Sequence, residues 1–191
     1  MLSKVLDIET ALITPRTVVR RFRENDGQAF FPLFQENMSM LQDRFPKIVD
    51  LLPDKEQIEL FVRRQLALWL LYQEFTFGIW SKDTALPIGY VRLANLDWTV
   101  PRGELLLFLD RNSYQKGIMT EVLLQIINFS FEQLKFEKLS MRVESDNYPA
   151  QRLARKCGFQ REGDLRSEFR KNSGETVDLM VFGLTKSKIS G

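Results

Sequence analysis

Histidine is missing from this 191-residue chain. Its absence excludes Ser-His-Asp and Cys-His nucleophile systems, and every metal site built on imidazole. Acid–base chemistry is left to carboxylates, tyrosine, lysine, cysteine, water or the substrate. Cysteine occurs once, as Cys157, so no internal disulfide can form and a thiolate zinc site lacks ligands. Long apolar runs are missing too. The longest, Leu66 to Tyr72, has seven residues, well short of the roughly 18 that a membrane-spanning helix needs. The opening "MLSKVLDIET" has neither the apolar stretch nor the small-residue cleavage site of a signal peptide. A cytoplasmic location away from any membrane is therefore expected. Nor does one sign of charge dominate. Lys plus Arg number 27 against 25 for Asp plus Glu, a net charge of +2, which leaves no footprint for direct nucleic-acid binding.

What is present suits a folded core. Hydrophobic residues make up 44%, so disorder is not the default, and the length suggests one domain over residues 1–191. "TVVRRF" (Thr17 to Phe22) reads as a short strand. "ENDGQAFFPLFQENMSMLQ" reads as a helix capped by Asn25 or Asp26, with a late start or a kink expected at Pro32. "LLPDKEQIELFVRRQLALWLLYQEF" is a stronger helix, with Asp54 as cap and Gln57 three residues on. "FTFGIW" and "PIGYVRLANL" are strands around the polar turn "SKDTAL". "GELLLFLD" (Gly103 to Asp110) is a continuous apolar strand, expected to be central and covered on both faces.

A helix is expected from Lys116 to Phe131. Ile118, Val122, Ile126 and Phe129 lie on one face, and Glu121, Gln125, Asn128 and Glu132 on another. Lys138 to Ser145 is the next strand. "PAQRLARKCGF" is a short helix with Pro149 in its first turn and Gly158 as its left-handed cap. "GDLRSEFRK" and "ETVDLMVFGLT" flank the hairpin turn "NSG". The class is mixed α and β, with about seven strands.

The chemistry starts where the apolar strand ends. Strand, loop Asp110–Gln115, helix and strand make a crossover of a length that favours parallel strands. The loop brings free backbone N–H groups to a helix N-terminus, where the macrodipole is positive. That arrangement suits a phosphate. Gly117 lets the backbone approach the anion closely, and Lys116 adds a charge. There is no GxxxxGK[ST] and no dinucleotide fingerprint. On the loop alone, a glycine near a helix start reads first as local backbone chemistry, and a phosphate- or nucleotide-binding module is a further reading.

The wider pattern narrows this. "GELLLFLDRNSYQKGIMTEVL", then "RVESDNYPAQRLARKCGFQREGDLR", then "DLMVFGL" resembles the GNAT acetyltransferases. It is most similar to their branch of ribosomal-protein N-terminal acetyltransferases. Glu104 stands at that branch's acidic strand position. Tyr114, Gln115, Lys116, Gly117, Ile118, Met119, Thr120 and Glu121 fill its loop motif without a gap. Asn147, the Gly158–Phe159 pair, Glu162, Gly163, Leu165, Arg166 and Asp178 match later motifs, and "LITPRTVVRRF" matches the opening. The resemblance spans about residues 12 to 185.

It implies a mostly antiparallel GNAT sheet flanked by helices, with two parallel strands splayed apart. It implies acetyl-CoA as cosubstrate, no metal, and direct acetyl transfer to a primary amine. The pyrophosphate would lie on residues 114–119 with Thr120 close by, and the pantetheine on backbone of Phe108 and Leu109. The Asn147 amide would bond the pantetheine, although from sequence an Asx turn before the next helix is an equal reading. Arg152 and Arg155 would meet cofactor phosphates or solvent.

Glu104 is the expected base, ahead of Glu144, Glu162 and Glu168; its other reading is a strand-end ion pair. Tyr148 or Tyr114 would protonate the leaving thiolate; packing is an equal reading for either ring. The expected acceptor is a protein N-terminal α-amine, with the first two helices along its groove and Glu36 and Asp43 available to a cation. A small-molecule amine is the alternative, and a homodimer is compatible with either.

Some residues depart from the branch. Gln115 replaces a loop glycine. Ala150 and Ala154 stand where hydroxyls are usual, and Phe182 replaces a final tyrosine. A catalytically weak CoA-binding regulator is the reading those departures favour.

Overall fold

The computed structural model describes residues 8–44 and 54–188. The opening residues 1–7, and residues 51–53 at the head of the second expected helix, lie outside the described residues. Among the described residues the strands are β1 (Ala11–Ile13), β2 (Thr17–Arg21), β3 (Phe75–Ser81), β4 (Pro87–Asp97), β5 (Arg102–Leu109), β6 (Lys138–Glu144), β7 (Gln160–Arg170) and β8 (Thr176–Thr185). The helices are α1 (Asp26–Glu36), α2 (Met38–Arg44), α3 (Lys55–Leu70), α4 (Ile118–Glu132) and α5 (Tyr148–Lys156).

All eight strands join one sheet in the order β1-β2-β3-β4-β5-β6-β8-β7. The eighth strand is the short β1, whose three residues are too few for alternation to show. Every pairing is antiparallel except β5 with β6. That one parallel contact is where α4 crosses over, as chain geometry requires.

The two faces of the sheet carry separate apolar clusters. Val122, Ile126 and Phe129 of α4 and Ala154 of α5 pack on Leu105, Leu139 and Met141. Phe30 and Phe34 of α1 and Ile58, Phe61 and Val62 of α3 pack on Tyr90 and Phe108. Leu105 and Phe108 thus face opposite ways along β5, as the two-residue period of a strand dictates. Burying three side chains such as Val122, Ile126 and Phe129 stabilises the fold by about 5–9 kcal/mol before entropy is counted.

Three local expectations need correction. Pro32 does not delay α1, which runs unbroken from Asp26 to Glu36. The carbonyl that loses its partner to proline belongs to Gln28, which is exposed and open to water. The break comes instead at Asn37, between α1 and α2. Its buried side chain donates to Leu33 O at 2.9 Å and to Asp110 Oδ1 at 3.0 Å, and accepts from Arg111 N at 3.1 Å. This ties the helix pair to the end of β5. Finally, α4 starts at Ile118 rather than Lys116. Gln115 has φ 59° and Gly117 φ 76°, and left-handed residues cannot join a right-handed helix.

The Asp54 cap matches expectation, accepting from Gln57 N at 2.8 Å. Gly158 and Gly174 take positive φ at the end of α5 and in the β7–β8 turn.

Gly89 faces Leu109 across the β4–β5 ladder. A Cβ there would press on the Phe108 carbonyl oxygen and come within 3.0 Å of Leu109 Cα. Both contacts are backbone and cannot rotate away. Gly89→Ala should therefore cost about 1–3 kcal/mol, read as a lowered denaturation midpoint at unchanged m-value.

Candidate active site

β5 and β6 pair over three residues only: Arg102 with Lys138, Gly103 with Leu139 and Glu104 with Ser140. Beyond Glu104 the strands part. β5 continues to Leu109 paired with β4 alone, and β6 continues to Glu144 paired with β8 alone. Leu106 and Leu107 are consequently half-buried rather than covered on both faces. The gap is a cleft of about 830 Å³, bounded by residues 104–109, the loop 113–120, residues 141–144 and the first turns of α5. One wall is the unpaired backbone edge of β5, a row of donors and acceptors open to an extended ligand.

The loop at the cleft mouth follows from its dihedrals. Tyr114 is extended, Gln115 and Gly117 are left-handed, and Gly117 is the N-cap of α4 without a side-chain cap. Gln115 therefore takes the strained conformation that a glycine would occupy freely. Thr120 N and Glu121 N both bond Gly117 O. The N–H groups of residues 115–119 meet no protein acceptor among the described residues. They form the free donor cluster expected for an anion. Tyr114, Gln115, Gly117, Ile118, Met119 and Thr120 line the cleft. The Lys116 side chain is exposed outside the lining, and its carbonyl accepts from Arg16 Nη1 at 2.5 Å.

Across the gap, Asn147 is the N-cap of α5, its Oδ1 accepting from Ala150 N at 3.2 Å. Both sequence readings therefore have a basis. The Asx turn forms, and Nδ2, without an acceptor among the described residues, remains available to a ligand. Arg152 lines the cleft, together with Lys156. Arg155 instead stacks over Phe182, 5.5 Å from the ring centroid.

Glu104 lies where the strands part. Its oxygens accept from Arg142 Nε at 2.6 Å, Arg142 Nη2 at 2.8 Å and Asn95 Nδ2 at 2.8 Å. Asn95, with φ 50°, sits in the irregular end of the β4–β5 register. Arg142 also meets Glu168 at 3.5 Å. Hydrogen bonding to Glu104, reinforced by both carboxylates' charge and opposed by burial, holds Arg142 above the ordinary guanidinium range. Sequence reasoning singled out Glu104 but not Arg142, whose signal was only its place on the outward phase of β6. Glu144 lines the cleft and meets Lys171 at 3.4 Å and Arg44 at 3.9 Å. Glu162 lies outside the lining, paired with Lys138 at 2.7 Å.

The tyrosine expectation needs correction. Tyr148 is 64% exposed and does not line the cleft, because the first turn of α5 directs it to solvent. Tyr114 does line it, with its hydroxyl donating to Met40 Sδ at 2.7 Å. Burial raises its pKa despite nearby Arg44, so it stays a protonated phenol at neutral pH. Glu36 joins Arg44, Arg111 and Tyr114 around a smaller hollow beside the mouth. Asp43 lines neither space and is exposed.

The donor set fits a CoA thioester: backbone N–H groups for a pyrophosphate, an unpaired strand edge for amides, and cations at the mouth. No group of His, Cys, Asp or Glu among the described residues could hold a metal ion, and none of the described helices is long and apolar enough to cross a membrane.

Comparison with known proteins points the same way. The GNAT acetyltransferase domain model matches residues 16–160. An uncharacterised N-acetyltransferase of Bacillus licheniformis, p20, is 31% identical over 115 residues, 60% of this chain and 64% of that protein. YoaA of Bacillus subtilis, also an uncharacterised N-acetyltransferase, is 27% identical over 180 residues, 93% of this chain and 97% of YoaA. The structure of RimL, a ribosomal α-N-protein acetyltransferase in complex with coenzyme A, superposes with a TM-score of 0.84 at 17% identity. That match covers 93% of this chain and 98% of RimL.

Cys157 is buried in the α4–α5 core. Burial pushes its thiol up to about 11, slightly opposed by Lys156. Since the thiolate forms only as pH rises toward that value, the residue is a poor nucleophile at neutral pH. Cys157 should resist iodoacetamide at pH 8 until the protein is unfolded. Cys157→Ala should leave acetyl transfer within about twofold of wild type, as expected of a thiol with a packing role only.

Proposed function

The chain belongs to the GNAT acetyltransferases, enzymes that draw an acetyl group from acetyl-CoA, and on that footing we propose that it acetylates the α-amine of protein N-termini directly. The observation that carries the reading is the parting of β5 and β6 under a helix N-terminus. A cofactor held by its pyrophosphate at residues 114–119 would run its pantetheine down the free edge of Phe108 and Leu109. The Asn147 amide and Arg152 would meet it from the other wall. From Leu109 to Glu104 the strand descends about 17 Å at the usual rise, which brings the thioester near the point where pairing resumes.

Glu104 is the carboxylate at that depth. An ammonium cannot attack a carbonyl, so the amine must first lose a proton. In our reading Glu104 takes it, directly or through one water, giving up one of its three hydrogen bonds. Arg142 and Asn95 then hold the side chain in place. The amine nitrogen attacks the acetyl carbon and gives up its second proton to water, the carbon–sulfur bond breaks, and the thiolate leaves. Backbone N–H groups on the free edge of β5 near Glu104 would support the carbonyl oxygen. With Tyr148 turned to solvent, Tyr114 is the phenol that lines the cleft, and its place at the pyrophosphate end leaves water to protonate the thiolate.

Glu104→Gln keeps the shape but cannot accept the proton. The value of kcat should fall by roughly 10²–10⁴, with the KM for acetyl-CoA little changed. A variant at full rate with an unchanged pH profile would transfer the role to water or to Glu144, the other inward-lining carboxylate at the β6 end.

The acceptor class is supported by RimL, whose own description is of a ribosomal α-N-protein acetyltransferase, and by the acids Glu104, Glu144 and Glu168 around the cleft. An acetyl-transfer screen of peptides with free and blocked N-termini, beside polyamines, amino acids and aminoglycosides, tests it. Free N-termini should be acetylated and blocked ones not. Turnover of small amines or blocked peptides alone would refute the acceptor while leaving the acetyltransferase intact.

A further inference from the structure

The helix that would receive the pyrophosphate carries an acid in its first turn. Glu121 stabilises the helix through its dipole, yet a carboxylate there repels a phosphate. Arg16, just before β2 and 105 positions away in sequence, answers it: Arg16 Nε and Nη2 donate to Glu121 Oε1 at 3.1 and 2.8 Å. Its Nη1 donates to Lys116 O at 2.5 Å. The same guanidinium lies against Gly117, with Nη2 3.4 Å from where a Cβ would stand. Glu121 Oε2 is buried with no hydrogen-bond partner among the described residues, so Arg16 is the cation that balances this carboxylate.

We propose that Arg16 is a positioning residue for the cofactor: it neutralises Glu121, so that the N-terminus of α4 can accept an anion. This rests on the reading that the pyrophosphate lies on residues 114–119. The charge logic is specific. Wild type and a doubly neutral pair present the same net charge to the anion. Losing Arg16 alone leaves a bare carboxylate, and losing Glu121 alone leaves a free guanidinium. A purely structural clasp would have no reason to follow that order.

The test is calorimetric titration of the full chain with coenzyme A, at low and high salt. Arg16→Gln should bind about tenfold more weakly, and Glu121→Gln should bind a few-fold more tightly, in line with charges at a helix N-terminus. The Arg16→Gln/Glu121→Gln double variant should return to near wild-type affinity. The spread should shrink at high salt, as screening requires. In turnover, Arg16→Gln should raise the KM for acetyl-CoA and leave kcat within about twofold.

A double variant as weak as Arg16→Gln would overturn the proposal, as would a Glu121→Gln protein that binds less tightly than wild type. The second variant keeps Arg16, so it decides the matter even if Arg16→Gln fails to fold. Gly117→Asp separates the two levels. It puts a carboxylate in the donor cluster and should abolish binding if the loop holds the pyrophosphate. Wild-type affinity in that variant would refute the loop site itself. Lost affinity there, with wild-type behaviour in the Arg16 and Glu121 variants, would refute only the role of Arg16.

Discussion

The short parallel pairing of β5 and β6 is the constraint on which the rest depends. Three residue pairs hold the two halves of the sheet together, and the remaining length of each strand is bonded on one side only. An unpaired edge inside a sheet ordinarily invites aggregation or slippage. Here α4 and α5 cover it from one face, and α1 and α2 approach it from the other. The two clusters of apolar side chains belong to different faces of the sheet. Each can therefore stay packed while the gap between the strands stays open.

Polar contacts then set the shape of the opening. At the depth of the cleft, Arg142 spans from Glu104 on one parted strand to Glu168 on β7. At the mouth, Arg16 joins the start of β2 to the first turn of α4. At the side, Asn37 bonds the α1–α2 junction to Asp110 and Arg111, where β5 ends. Each crosses at least 26 residues of sequence, and each involves a planar side chain whose geometry admits few alternatives. Exposed ion pairs are individually worth little to stability. Their consequence here is positional: the loop, the strand edge and the deep carboxylate keep fixed relative places.

The residues that depart from the pattern the sequence resembles have unequal effects. Gln115 adopts the left-handed conformation that glycine would favour, so the loop shape survives at some backbone cost. Ala154 is buried in the core of α5, where a hydroxyl or phenol would need space and a partner. Phe182 is fully buried and carries the Arg155 guanidinium on its face. The positions thus went to packing, and a proton donor has to come from elsewhere in the cleft. Tyr114 is the phenol that lines it.

Much of this was legible in the sequence. Periodicity placed α4 and its buried face, the apolar run marked β5 as central, and Gly117 after "QK" marked the loop of free backbone donors at the helix start. Those are local properties, fixed by backbone sterics and by the spacing of apolar residues over a few turns. The sequence by itself determined the elements, the absence of histidine chemistry and the position of the donor loop. Only the tertiary structure decided that β5 and β6 part after Glu104, that Arg142 and Asn95 occupy that carboxylate, that Arg16 shields Glu121, and that Tyr148 points to solvent. These depend on strand register and helix rotation, where a shift of one residue turns a side chain to the opposite face, and local spacing carries no record of that choice.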